Sequence, residues 1–181
     1  LNSVLHVLYL LYNEGYHASH HTKIIREDLC EEAMRLTYLL ATHKATSLPK
    51  VKALMALMCL QSSRFDARTG ELGEIILLED QDRTQWSKPL IQQGLDFLAR
   101  ASEGNSLSEY HVEAAIASVH SLAPRFEETQ WDKLLVLYQT LSELKPGPIV
   151  SLNKAIATGY ALSFRAGIAE LQNITGLQDN S

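Results

Sequence analysis

Three histidines crowd into Gly15-Tyr16-His17-Ala18-Ser19-His20-His21, directly after Glu14, and imidazoles beside a carboxylate are a familiar zinc donor set. Its place in a connection between two helices argues against that use. Zinc-binding helices place donors at i and i+4 and orient them through outer hydrogen bonds, and His-Glu-x-x-His is absent. A histidine-rich connection between two helices is ordinarily solvated, so no metal is expected. Cys30 and Cys59 have no partner at Cys-x-x-Cys spacing and fall within helical patterns, where a buried reduced thiol is the usual finding. Glu79, Asp80 and Asp82 are a candidate acid/base group, because neighbouring carboxylates can be driven apart in pKa. Arg83 follows at once and favours an ion-paired corner. With no Gly-x-Ser-x-Gly, Walker loop or Gly-x-Gly-x-x-Gly in the chain, no catalytic residue and no cofactor are expected.

The large amphipathic rings Tyr12, Tyr16, Trp86, Tyr110 and Trp131 suit a core edge or an interface. Two connecting segments set such rings among dense polar groups: Tyr12-Asn13-Glu14-Gly15-Tyr16, and Asp80-Gln81-Asp82-Arg83 followed by Trp86. Either polar group would be poorly satisfied if buried alone. Asn13, Glu14 and Tyr16 are therefore expected to approach Asp80, Asp82, Arg83 and Trp86 and to form a structured polar surface. If that surface does work, replacing Asn13, Glu14 or Arg83 with Ala should lower activity without lowering the melting temperature. Equal loss of both would make these residues structural.

These residues must be positioned by helices. Val4, Leu5, Leu8, Leu11 and Tyr12 recur at helical intervals over 3–13, with Gly15 as the expected stop. Ile25, Leu29, Ala33, Leu36 and Leu40 mark an amphipathic helix over 22–43 with Thr22 as its cap. Pro49 opens a third helix whose run 53–60 is apolar on every face and should be the centre of the core. The turn-rich stretch 68–74, followed by only four apolar residues, predicts a short β-hairpin near 64–78, with 64–68 against 74–78. Pro89 opens a fourth long helix broken at Gly104 and Asn105, and Ser106 with Glu109 reads as a capping box for a fifth that ends at Pro124. A sixth helix starts at Thr129 and stops at Lys145-Pro146-Gly147-Pro148. Two shorter ones over 149–159 and 163–173 stack like tetratricopeptide pairs. The expected fold is an all-α antiparallel array of about eight helices. A helical domain over 1–128 carries the hairpin, tetratricopeptide-like pairs over 129–174 pack on it as one continuous unit, and 175–181 is a frayed tail.

At 181 residues with 46% apolar content the chain can fill a core. Sixteen Lys and Arg against 21 Asp and Glu leave a net charge of −5, the wrong sign for holding nucleic acid phosphates, so direct nucleic acid binding is not expected. The run 53–60 falls far short of the roughly 20 apolar residues of a membrane span. Sparse cysteine fits a reducing cytoplasm. Leu1 in first place, with no secretory leader before it, reads as a piece of a longer chain.

One resemblance runs through nearly the whole chain, over about 5–172. Leu8-Tyr9-Leu10-Leu11-Tyr12-Asn13-Glu14-Gly15-Tyr16-His17-Ala18-Ser19 and Asp28-Leu29-Cys30-Glu31-Glu32-Ala33-Met34-Arg35-Leu36 carry its start. Ala56-Leu57-Met58-Cys59-Leu60, Leu77-Leu78-Glu79-Asp80-Gln81-Asp82-Arg83 with Trp86, Ala114-Ala115-Ile116-Ala117-Ser118-Val119-His120 and Leu152-Asn153-Lys154-Ala155-Ile156-Ala157 continue it. Together they resemble the C-terminal extension of a group of bacterial RNA polymerase sigma factors of the extracytoplasmic-function type. The segments around Asn13 and Asp80 are the specific ones. The chain departs from the pattern at His111 and Glu113, where Gln is usual, and at Tyr160-Ala161-Leu162-Ser163-Phe164, where a Gly-Pro is usual, so the last helical pair should pack differently.

The resemblance implies two upstream sigma domains that open and read the promoter, absent from this sequence, and a tetratricopeptide-like module acting in place of a separate anti-sigma partner. Its implied partners are those upstream domains in cis, the RNA polymerase core and a small YCII-type protein. Tyr12, Asn13, Glu14, Tyr16, Asp80, Asp82, Arg83, Trp86 and His120 are the interaction or polar-anchor candidates. The rival expectation is a helical enzyme or ligand-sensing domain built on Glu79, Asp80, Asp82 and Arg83, and a third is a plain scaffold repeat.

Overall fold

A computed structural model of the chain describes residues 1–17, 26–70 and 74–174. Among them the fold is all-helical, as the periodicity predicts. The helices are α1 (Asn2–His17), α2 (Glu27–Thr42), α3 (Pro49–Ser62), α4 (Phe65–Arg68), α5 (Lys88–Ala101), α6 (Glu109–Leu122), α7 (Trp131–Leu144), α8 (Pro148–Ala161) and α9 (Phe164–Gln172). Two single 3-10 turns, Arg83–Gln85 and Phe126–Glu128, join them.

The uniformly apolar helix takes the central place. Every residue of α3 from Ala53 through Leu60 is buried, because α2, α5 and α6 all pack against it. Pro49 sits in its first turn, where a missing N–H costs nothing. From α6 onward each helix packs on the next, α6 on α7, α7 on α8 and α8 on α9. Two apolar clusters result. One gathers α1, α2, α3 and α5 around Leu54, Leu57 and Met58, and the other joins Val112, Ile116 and Val119 of α6 to Leu134, Leu141 and Ala157. Since α6 also gives Tyr110 and Ala114 to the first cluster, it ties the two together.

Several boundaries depart from the sequence reading. Gly15 does not stop α1; it lies inside the helix where α2 begins beside it. A Cβ there would come within 2.7 Å of the Cys30 Sγ and 2.8 Å of the Arg26 carbonyl oxygen. Thr22, the expected cap of α2, lies outside the described residues, as do the tail 175–181, His20, His21 and the side chain of His17. The box at the start of α6 is Ser108 with His111 instead of Ser106 with Glu109. The Ser108 backbone N–H donates to His111 Nδ1 at 3.2 Å, with the Ser108 hydroxyl 2.8 Å from the same atom.

The hairpin is much reduced. Residues 65–68 form the helical turn α4, and the returning chain pairs through a single antiparallel bridge between Thr69 and Ile75, with no strand among the described residues. The cause is tertiary. The helical turn buries Ala67 and Arg68 against the body, whereas Ile75 and Leu77, read as strand core, remain more than half exposed.

The last pair is held by aromatic packing where the usual Gly-Pro is missing. Tyr160 stacks on Trp131 at 4.2 Å and meets Phe126 and Phe164 edge-on, while the Ser163 hydroxyl accepts the Ala166 N–H at 3.2 Å to start α9.

Candidate functional site

The segment around Asn13 lies on the last two turns of α1, and its two tyrosines point inward. Tyr12 is fully buried and donates to the Met58 carbonyl at 3.2 Å, with the Ser62 hydroxyl at 2.8 Å. Burial pushes its phenol well above the ordinary range, so it stays neutral. Tyr16 stacks beside it at 5.8 Å and carries the Arg68 guanidinium 3.8 Å above its ring. Arg68 also donates to the Tyr16 carbonyl at 3.0 Å. The cation can be buried because an aromatic face and a carbonyl replace water.

Arg64, in the link between α3 and α4, connects the two specific segments. Its Nη2 donates to the Tyr16 hydroxyl at 2.5 Å and its guanidinium lies 5.7 Å from the centre of the Trp86 ring. Arg83 stands 4.6 Å from the same ring. Tyr16, Arg64, Trp86 and Arg83 thus form one continuous series. Arg83 ends it by donating from Nη1 to the carbonyls of His120 at 2.5 Å and Ala123 at 2.8 Å, which satisfies the open C-terminus of α6.

The carboxylates take no part in that series. Asp82 spends its acceptors on its own 3-10 turn, receiving the Thr84 N–H at 2.9 Å and the Thr84 hydroxyl at 2.7 Å, and these bonds lower its pKa. Glu79 and Asp80 are exposed. Glu79, Asp80, Asp82 and Arg83 therefore do not converge on a reacting position, because the arginine turns away to cap α6. Glu14 is exposed on α1.

Asn13 faces elsewhere, into a cleft of about 590 Å³ where α1, α3, α6, α7 and α8 meet. Beside Asn13, which hydrogen-bonds Tyr9, Lys145 donates to Glu113 Oε1 at 2.9 Å and to the Tyr9 hydroxyl at 2.9 Å, and the ammonium lies 4.5 Å from the Tyr9 ring centre. Burial opposes the Lys145 charge, but the bonds to Tyr9 and Glu113 outweigh it and raise its pKa. Deeper in the cleft are Gln61, Arg64, Tyr138 and His120, with Ile116, Leu141 and Val150 as apolar wall. Burial, reinforced by Arg64 and Arg83, lowers His120 to about 4, so its ring is neutral. The ring packs edge-on against Trp131 at 5.8 Å.

Among the candidates read from sequence, the fold gathers Asn13 and His120 at the cleft and joins Tyr12, Tyr16, Arg83 and Trp86 in the wall behind it. Gln61, Arg64, Glu113, Tyr138 and Lys145 were not among them. In the sequence Lys145 is only part of a helix stop, and Glu113 only a departure from a pattern. Cys30 and Cys59 are buried with thiols pushed up to about 12, which removes them as nucleophiles at neutral pH. Among the described residues no cluster of three or more His, Cys, Asp or Glu can hold a metal ion, and no helix is long and apolar enough to cross a membrane.

A family model described as a family of unknown function (DUF6596) matches residues 1–102, which run from α1 through α5. A protein of Rhizobium meliloti (strain 1021), described only as uncharacterized, is 39% identical over 172 residues. That alignment takes in 95% of this chain and 40% of the relative, so the chain spans less than half of the relative's length. No solved structure matches the chain.

Proposed function

The chain belongs to the family of unknown function DUF6596, and we propose that within it this domain is the regulatory, protein-interaction part of an extracytoplasmic-function sigma factor. In this reading it modulates transcription initiation through contacts with the factor's own promoter-binding domains or with the RNA polymerase core, in the cytoplasm, and performs no catalysis. A YCII-type protein is a further candidate partner.

One observation carries the proposal beyond the resemblance. Helix α1 is apolar on two sides: Leu5, Leu8 and Tyr12 are buried in the core, while Val4, Val7 and Leu10 stand outward with 48%, 61% and 52% of their surface exposed. An outward apolar group of this kind on a helix is a common docking surface. In this reading the promoter-binding domains or the polymerase supply the cover, and the relative, which extends well beyond the aligned region, has room for such domains. The acidic balance of the domain also suits contact with basic promoter-binding domains better than contact with DNA.

The test places a photo-activated cross-linking amino acid at Val7 in the full-length protein assembled with polymerase. Adducts in the sigma domains or in polymerase are expected. An upstream region unrelated to sigma domains, or adducts confined to water, would sink the reading. The ligand-sensing alternative keeps one observation in its favour, the polar cleft, although its residues differ from Glu79, Asp80, Asp82 and Arg83.

A further inference from the structure

We infer that the cleft between α1, α3, α6, α7 and α8 binds a small organic carboxylate with an apolar body, its acid group held by Arg64. The inference concerns a ligand site and stands whether or not the domain serves a sigma factor. A cleft of about 590 Å³ lies within the range of small-molecule sites, and apolar residues with a few convergent polar groups are the ordinary make-up of such sites.

The charge balance sets the ligand's sign. The cleft is lined by two cations, Arg64 and Lys145, and one carboxylate, Glu113. Glu113 is already taken by Lys145 at 2.9 Å. Arg64 has no carboxylate within ion-pair distance among the described residues; its hydrogen bond goes to the Tyr16 hydroxyl. A guanidinium has five donors in a planar fork that matches a carboxylate with two parallel bonds.

Two buried polar atoms beside Arg64 still lack partners: Gln61 Oε1 and His120 Nδ1. Gln61 lies one helical turn before Arg64, and His120 faces both from α6. An uncompensated buried polar atom is costly. The apolar body of the bound acid would cover Ile116, Leu141 and Val150.

The test is calorimetric titration of the 181-residue chain with 2-naphthoate and with its neutral isostere 2-naphthamide. Naphthoate is expected to bind at least about tenfold more tightly, in keeping with a charge-assisted hydrogen bond. Gln61→Glu sets a carboxylate beside Arg64 without touching the arginine's contacts to Tyr16 and Trp86; it should abolish the preference for naphthoate and leave naphthamide binding. Asn153→Trp, at a partly buried position lining the cleft, should block both ligands with an unchanged thermal midpoint. Equal affinities for the two ligands, no heat from either, or naphthoate binding untouched by Gln61→Glu or by Asn153→Trp would each overturn the inference.

Discussion

His120 has a protonation cost built into its position. Its ring is buried between α6 and Trp131 with Arg64 and Arg83 nearby, and its pKa is lowered to about 4 from an ordinary value near 6.5. The unfolded chain therefore takes up a proton between those two values while the folded chain does not. Stability from this source is complete above about pH 6.5 and is lost as pH falls toward 4. The full shift is worth about 3 kcal/mol. His111, also lowered by burial, works in the same direction. Urea unfolding at pH 7 and pH 4.5 should show His120→Gln losing markedly less stability between the two than the unsubstituted chain. An identical loss in both would show that the ring takes up its proton as readily in the fold as in the unfolded chain. Arg83 makes the opposite kind of statement about a candidate surface residue. Because its guanidinium caps α6 through two carbonyls, Arg83→Ala should lower the thermal midpoint, at a cost of about 1–3 kcal/mol. That assigns Arg83 to structure. Asn13→Ala, on the cleft wall, should leave the midpoint nearly unchanged.

Among the elements, the pair α8 and α9 is limited by backbone contact. A Cβ on Gly167 would sit 2.8 Å from the Ala155 carbonyl oxygen and 2.9 Å from the Gly159 Cα, neither of which can swing aside as a side-chain tip does. Gly167→Ala should cost about 1–3 kcal/mol through overpacking, read as a lower thermal midpoint, and an unchanged midpoint would mean that α9 is free to lift away. The same contacts explain what was legible in the sequence. The helices announce themselves through period, Pro at the first turn and Gly or Pro beyond the end, which are local properties. The turn α4 does not, because its buried Arg68 reads as polar and is apolar only in company with Tyr16. The cleft was legible only in part. Asn13 and His120 stood in specific segments, but Gln61 ends and Arg64 follows an α3 with no polar face to point toward them, and Lys145 meets Glu113 only through packing that brings together residues 32 apart. Side chains brought together from five helices leave no spacing to read.

For the whole molecule, α6 is the decisive element. It belongs to both apolar clusters, receives Arg83 at its end and lends Glu113 and His120 to the cleft. A ligand filling the cleft would therefore touch the packing of both halves of the array at once, with Tyr9 and Asn13 of α1 on one wall. The most direct measurement of the proposed function is run-off transcription in vitro with purified polymerase and the full-length protein that carries this domain, compared with the same protein lacking it. Output from the factor's own promoter is expected to fall well below that of the intact protein. Output unchanged by the deletion would contradict a regulatory role.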